Sequence, residues 1–336
     1  MSLATPPAQL VEDGRQHLGR FSGPLRANLL DARYKDLARP LRWWRLKEWQ
    51  ALQIATPRFF VNLALFDAKL MALRQIKIFD RERSQKLLPE RKLPPGALRL
   101  ADQLFDSTNR FADRQGALTF RNRLAEGRIE VDFDVAASSD HPRLFGHLEV
   151  RTDRGASQVV SLPFEGEIGM YSHKGMFPIE GELRIGDETH PIRALALLDD
   201  HKGYYPYVMR WDWVTAATFD ASGRAIGLNL TRNQCRDPER YNENCAWIGD
   251  RIGRLPAIEV RREGPPNERW ILRDREGKVD VVFEPTVPGD VRVNAIIVES
   301  RYKGPCGRLR GRVAPEGLEP LELDTFGMGE EFWLRC

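Results

Sequence analysis

Short apolar segments, rich in aromatic and β-branched residues, recur along this chain every ~8–12 residues, with Gly, Pro, Asn or Asp between them. That rhythm constrains the fold more tightly than any motif. "GRIEVDFDVA" displays it best. Ile129, Val131, Phe133 and Val135 alternate with Glu130, Asp132 and Asp134, the period of two that turns one side of a strand inward and the other to water. "WQALQIAT", "RFFVNLALFD" and "KLMALRQIKIFD" read as consecutive antiparallel strands broken at Pro57 and Asp67-Ala68-Lys69. Leu and Ala leave a helix open for parts of 61–78. Tight turns are expected at Gly186-Asp187, Ala221-Ser222-Gly223 and Arg275-Glu276-Gly277, where Gly and Asp supply positive φ. No long amphipathic helix interrupts the pattern, and without βαβ alternation a doubly wound or TIM-barrel fold is disfavoured. The expectation is an all-β sandwich or barrel system.

A length of 336 residues accommodates two β-rich halves without disulfide or metal staples. The glycine-rich stretch "EGEIGMYSHKGMFPIEG" marks the expected boundary. It divides the chain into an irregular arm at 1–19, a first half at 20–165 and a second at 166–336. A net charge of +3 gives no case for a nucleic-acid partner. The segment 20–47 is locally basic, eight Lys/Arg against Asp31 and Asp36. That is a solvated face or a weak contact for an anionic membrane surface.

No apolar run approaches the ~18–20 residues of a membrane span, and the N-terminus lacks the h-region of a secretory signal. Cys235, Cys245, Cys306 and Cys336 form no C-x-x-C and fit no zinc spacing. Free thiols and a cytoplasmic location follow as the simplest expectation. Phosphate-binding loops, zinc-protease motifs and nucleophile elbows are absent, and the six histidines are scattered. Neither a metal nor another cofactor is expected.

Chemistry-bearing residues concentrate in "LDDHKGYYPYVMRWDWVTAATFD", residues 198–220. Asp200 and His201 fall where an apolar run should meet a loop. An Asp buried among Tyr204, Tyr205, Trp211 and Trp213 would lose hydration, and its raised pKa would suit a proton donor. His201 would be its partner in proton transfer, while the tryptophan faces would stabilise a developing cation. Spacing alone favours a packing knot. Trp211 and Trp213 share one strand face, with Asp212 expected to point the other way, to solvent. Arg232 and Asn233 end the next segment; the Arg suits a bridge to Asp200 or Asp212, or a ligand acid group. His173 in "YSHKGMF" is a further candidate for ligand contact.

The early "GRFSGPL", the central "DDHKGYYPYVMRWDW", "GLNLTRN" with a downstream "NEN", and the terminal "FGMGEEFW" resemble the bacterial domain-of-unknown-function 2804 family. The likeness runs from about Gly19 to the end of the chain. The central block is also similar to the Asp-His … Trp-Asp-Trp … Arg pattern of the AttH and carotenoid 1,2-hydratase (hydroxyneurosporene synthase) group. Asp200, His201, Trp211, Asp212, Trp213 and Arg232 occupy the matching positions. This resemblance implies two lipocalin-like, calycin-type antiparallel β-barrel halves around a ligand cavity, and an Asp-His region that protonates a double bond. Lys202 replaces the pattern's Glu and Arg210 its Gly, and a Lys beside the acid favours the ionised carboxylate.

The functional expectation is therefore a protein that binds a hydrophobic small molecule such as a lipid or terpenoid. Its enzymatic form is acid-assisted, cofactor-free hydration, isomerisation or cyclisation, with Asp200 and His201 catalytic. Trp211, Trp213, Tyr205, Arg232, Asn233 and His173 would contact the ligand. The alternatives are a non-catalytic lipid carrier and a membrane-peripheral adaptor.

Overall fold

The computed structural model describes residues 3–164, 169–264, 269–294 and 299–335. The chain is all-β, in two curled antiparallel half-barrels. One compact unit comprises Leu3–Ser161 and Met170–Tyr204; the other runs from Tyr205 onward and takes in Leu162–Gly169. The expected boundary at 165/166 lies outside the described residues. The hairpin that follows it belongs to the first unit, so the chain passes to the second at Tyr204/Tyr205.

The first unit is carried by β1 (Leu46–Ala55), β2 (Phe59–Asp67), β3 (Ala72–Asp80), β4 (Ser107–Asp113), β5 (Gly116–Arg123), β6 (Arg128–Val135), β7 (Leu144–Arg151), β8 (Met170–Ile185) and β9 (Glu188–Tyr204). Their order across the sheet is β3-β2-β1-β9-β8-β7-β6-β5-β4. Two meanders are thus joined by pairing the first of these strands with the last. β6 has the expected alternation: its four apolar side chains are buried and the charged ones between them are not. The hairpin β8–β9 turns at Gly186, whose φ of 61° is a left-handed conformation that costs glycine no Cβ clash. From Ala194 to Tyr204, β9 is buried on both faces. Helix is confined to short pieces, chief among them α1 (Arg39–Arg45), with Pro40 in its first turn. The alternative of a helix within 61–78 is replaced by β2 and β3.

Leu52, Ile54, Phe120, Val131, Phe133, Ala196 and Leu198 belong to one buried cluster that fills the concave side of this sheet. Its outer strands approach each other, and Arg91 on the short strand beside β3 bridges Asp113 of β4 at 2.8 Å. In the basic segment, Arg20 donates to Gln158 (2.9 Å), Arg26 pairs with Asp102 (2.8 Å) and Arg39 with Asp31 (2.6 Å).

The second unit is carried by β10 (Val208–Phe219), β11 (Ala225–Arg232), β12 (Cys245–Ile248), β13 (Arg251–Arg254), β14 (Glu259–Glu263), β15 (Arg269–Arg273), β16 (Val279–Val287), β17 (Cys306–Val313) and β18 (Leu321–Arg335). The order β13-β12-β11-β10-β18-β17-β16-β15-β14 repeats the plan of the first unit, again pairing the unit's opening strand with its closing one. Val214, Leu230, Trp270 and Phe283 lie in its core. Cys235, Cys245 and Cys306 are buried and form no disulfide among the described residues; Cys336 lies outside the described residues.

Candidate functional site

Side chains on successive strand residues point to opposite faces, and this separates the two candidate catalytic residues. Leu198 and Ala196 lie in the concave core, so Asp200 and Lys202, in step with them on β9, face the same way. His201 and Asp199 face the other side. The register carries the inner row onward: Asp200 pairs with His173 of β8 and Gln50 of β1, and Lys202 pairs with Tyr171 and Glu48. All six are buried.

The inner row ends the apolar core with a polar layer. Tyr171 is hydrogen-bonded to Asp200. Gln50 reaches across the interior, accepting from Asn109 Nδ2 (2.7 Å) and donating to Asn122 Oδ1 (2.7 Å). Lys202 Nζ lies 2.6 Å from Glu48 Oε1, and Lys69 binds both Glu48 and, at 2.7 Å, Asp67. Beyond this network is a cavity of about 540 Å³, lined in part by Glu48, Lys69, Lys202 and Trp43.

Burial governs the proton affinities. It is the largest influence on Asp200 and pushes the carboxyl up to about 7; Lys202 and the Tyr171 hydrogen bond oppose it, while Asp199 and Glu48 reinforce it. Lys202 therefore acts in the direction its sequence position suggests, but desolvation outweighs it. The ammonium has a stronger claim elsewhere. Burial would raise Glu48 as well, yet Lys202 and Lys69 hold it below the ordinary carboxylate range. Burial brings His173 down to about 4, so its ring is neutral at pH 7. Neither of its nitrogens has a hydrogen-bond partner among the described residues. Tyr171 is raised well above the ordinary phenol range by burial and by Asp200, and so stays protonated.

His201 takes no part in this layer. Its ring stacks on Trp49 at 3.8 Å and 2°, with Asp199 beside it, accepting from Trp49 Nε1 (3.0 Å) and paired with Lys174 (2.8 Å). Burial, then Lys174 and Lys202, hold its pKa well below the usual imidazole range. The expected proton exchange between Asp200 and His201 is corrected on both counts: they face opposite sides, and His201 resists protonation. His173 is the imidazole on the acid's own face.

The remaining candidates belong to the second unit, each with a partner there. Tyr205 packs near Phe164 (5.0 Å) and Trp211 (5.8 Å). Trp211 Nε1 donates to Glu330 (3.0 Å) and Trp213 Nε1 to Asn229 (2.6 Å). Asn233 accepts from the Cys235 amide (3.0 Å), capping a turn. Arg232 bridges Asp212 at 2.6 Å, one of the two carboxylates expected for it. Asp212 itself is 6% exposed rather than solvent-facing. It shares the inner face with Val214 and also binds Arg262.

Sequence reading missed Glu48, Gln50, Lys69, Tyr171 and the amides of Asn109 and Asn122. One signal was present. "LKEWQALQI" sets Glu48 and Gln50 in step with Leu52 and Ile54, polar residues on what must be a core-facing row.

The chain belongs to the DUF2804 family, a domain of unknown function, whose model matches residues 4–335. Comparison with curated proteins returned no match. Among solved structures it is similar to a protein assigned as AttH from Nitrosomonas europaea, with 13% identity, 85% of this chain and 92% of that one covered, and a TM-score of 0.47. It is similar also to kievitone hydratase from Nectria haematococca (13%, 85% and 88%, TM-score 0.47). CghA in complex with Sch210972 is a third (11%, 87% and 88%, TM-score 0.46). Among the described residues no helix is long and apolar enough to cross a membrane.

Proposed function

We propose that this protein binds an amphiphilic small molecule with a largely apolar body and transforms it by proton transfer from Asp200, using chemistry supplied by its own side chains. The observation that carries this reading is the Asp200 carboxyl. It is buried and held near pKa 7, it faces the same side as Lys202, and Lys202 lines the cavity. The two residues are separated by about 7 Å along the strand. A general acid works best with a pKa near the operating pH.

In the forward step Asp200 donates its proton to a double bond or carbonyl oxygen of the ligand. Tyr171, held as a phenol, stabilises the resulting carboxylate through its hydrogen bond. His173 is a neutral base on the paired position of β8, available to take a proton from water or from the carbon next to the developing cation. The net change is a hydration, an isomerisation or a cyclisation. Asp200 is the proton donor, and Tyr171 and Gln50 are positioning residues.

The test begins with native mass spectrometry of protein purified from its host, followed by extraction of the bound molecule. Incubated with fresh protein, that molecule should shift by one water or convert to an isomer. Asp200→Asn should hold it with unchanged stoichiometry and leave it unaltered, and the wild-type rate should fall above pH ~7 as the acid ionises. A molecule that returns unchanged from wild-type protein identifies a carrier. Turnover by Asp200→Asn at the wild-type rate removes Asp200 as the acid.

A further inference from the structure

We propose that the 540 Å³ cavity at the polar end of the first unit is a site for an amphiphile with one negative charge, a carboxylate carried on an apolar body. This names the substrate class for the reading above, and rests on that reading only for the claim that the bound molecule is transformed.

Charges on the lining cancel almost completely. At its inner side Lys69, Lys202 and Glu48 are 1%, 1% and 7% exposed. With Asp67 behind Lys69 they form a closed set of two cations and two anions. At the rim, Arg26 is matched by Asp102 and Arg39 by Asp31. Every ionised group of the lining is then accounted for except Arg99. Its guanidinium is exposed and has no ion pair or hydrogen bond among the described residues. The lining therefore carries one positive charge that nothing in the unit neutralises. A guanidinium presents two parallel N–H donors in the geometry a carboxylate accepts.

The rest of the lining selects the body of the molecule. Leu29 and Leu46 are buried in the wall, and Leu30 and Leu100 are half-buried beside them. Trp43 offers a ring that already holds the Lys69 ammonium at 4.9 Å. A cation would meet Arg99 unfavourably, and a dianion would bring a charge that the closed inner set cannot match. A neutral amphiphile would fill the walls but leave Arg99 unanswered. The volume lies within the ~300–1,000 Å³ of small-molecule sites.

The probe is decanoate, with decanol and decylamine as uncharged and cationic counterparts, titrated calorimetrically into the full chain at low salt. Decanoate should bind at one site about tenfold more tightly than decanol, and decylamine should not bind. Arg99→Gln, at an exposed position, should bring decanoate down to the affinity of decanol; Arg99→Lys, which keeps the charge but not the paired donors, should restore only part of the difference. Leu30→Trp, which fills the cavity from its wall, should abolish decanoate binding while the melting temperature stays near wild type. Equal binding of decanoate and decanol overturns the proposal, as does an Arg99→Gln protein with unchanged affinity. Saturable binding that survives Leu30→Trp places the site elsewhere and also overturns it. None of these readouts involves turnover, so this proposal and the acid role of Asp200 fail separately.

Discussion

The two units follow one strand plan, and each sets an aspartate on the inner face of the seam where its opening and closing strands pair. In the first unit the seam is β1–β9 and the residue is Asp200; in the second it is β10–β18 and the residue is Asp212. Both are buried, at 2% and 6% exposure. What differs is the company. Asp200 has an amide, an imidazole and a phenol around it, whereas Asp212 is gripped by Arg232 and by Arg262, itself stacked over Trp270 at 4.4 Å. Burial alone does not make a carboxyl a proton donor; burial without a matched cation does. The second unit uses the seam position as a structural bridge, and the first keeps it chemically available.

Breaking the bridge should have the largest effect. Asp212→Ala leaves Arg262, whose side chain is 14% exposed, with only its longer contact to Glu331 at 3.6 Å. Removing one partner of a buried pair costs about 3–5 kcal/mol, and Arg262, the more buried of the two guanidinium groups, carries most of that loss, since Arg232 is 47% exposed. Urea denaturation of the full chain should show the second unit melting first. A midpoint within error of wild type would mean the bridge contributes nothing.

Asp200 should respond to pH instead. Its folded pKa of about 7 lies above the ordinary 3.8, so between those values the folded state holds a proton that the unfolded chain releases. Stability therefore falls as pH rises through that window and stays lower above it, by on the order of 4 kcal/mol. Asp200→Asn removes this dependence and should be the more stable protein at pH 8.5. If the two urea profiles coincide from pH 5 to 8.5, the carboxyl is not held near neutrality.

His173 gives the opposite slope. Its folded pKa of about 4 lies below the ordinary 6.5, so the unfolded chain takes up a proton first as the solution is acidified. The stability present above pH 6.5 is lost as pH falls through 4, by about 3 kcal/mol. Between about pH 4 and 6.5 the two residues oppose each other and flatten the wild-type curve. His173→Phe should unmask a profile that falls with rising pH, and Asp200→Asn one that rises.

The fold was more legible than the site because its signals are local. Alternation in 128–135 and the turn at Gly186-Asp187 depend on neighbours along the chain. The affiliation of β9 depends on its pairing with β1, about 150 residues away, such as Asp200 with Gln50, and no local pattern carries that. Thus the glycine-rich stretch near 165–181 resembles a linker, although most of it lies in the hairpin of the first unit. Separation along the chain, here 50 residues, likewise hid the Arg262 partner of Asp212. The facing of Asp200 and His201 was different, because period two already separates adjacent residues on a strand. Reading "DDHK" as a loop concealed that consequence.

The smallest effect sharpens the contrast by holding the chemistry constant and changing only the solvent. Arg308 grips Asp324 through two hydrogen bonds of 2.7 and 2.6 Å, a geometry no poorer than that of Arg232 on Asp212. It lies on β17 and β18 of the same unit, with both side chains more than half exposed. Water competes for every hydrogen bond there and salt screens the charges. Asp324→Ala should therefore leave the urea midpoint where it is, in low and high salt alike. A loss comparable to that of Asp212→Ala would show that bidentate geometry, rather than desolvation on the inner face, sets the strength of these bridges, and the distinction drawn between the two seam aspartates would fall with it.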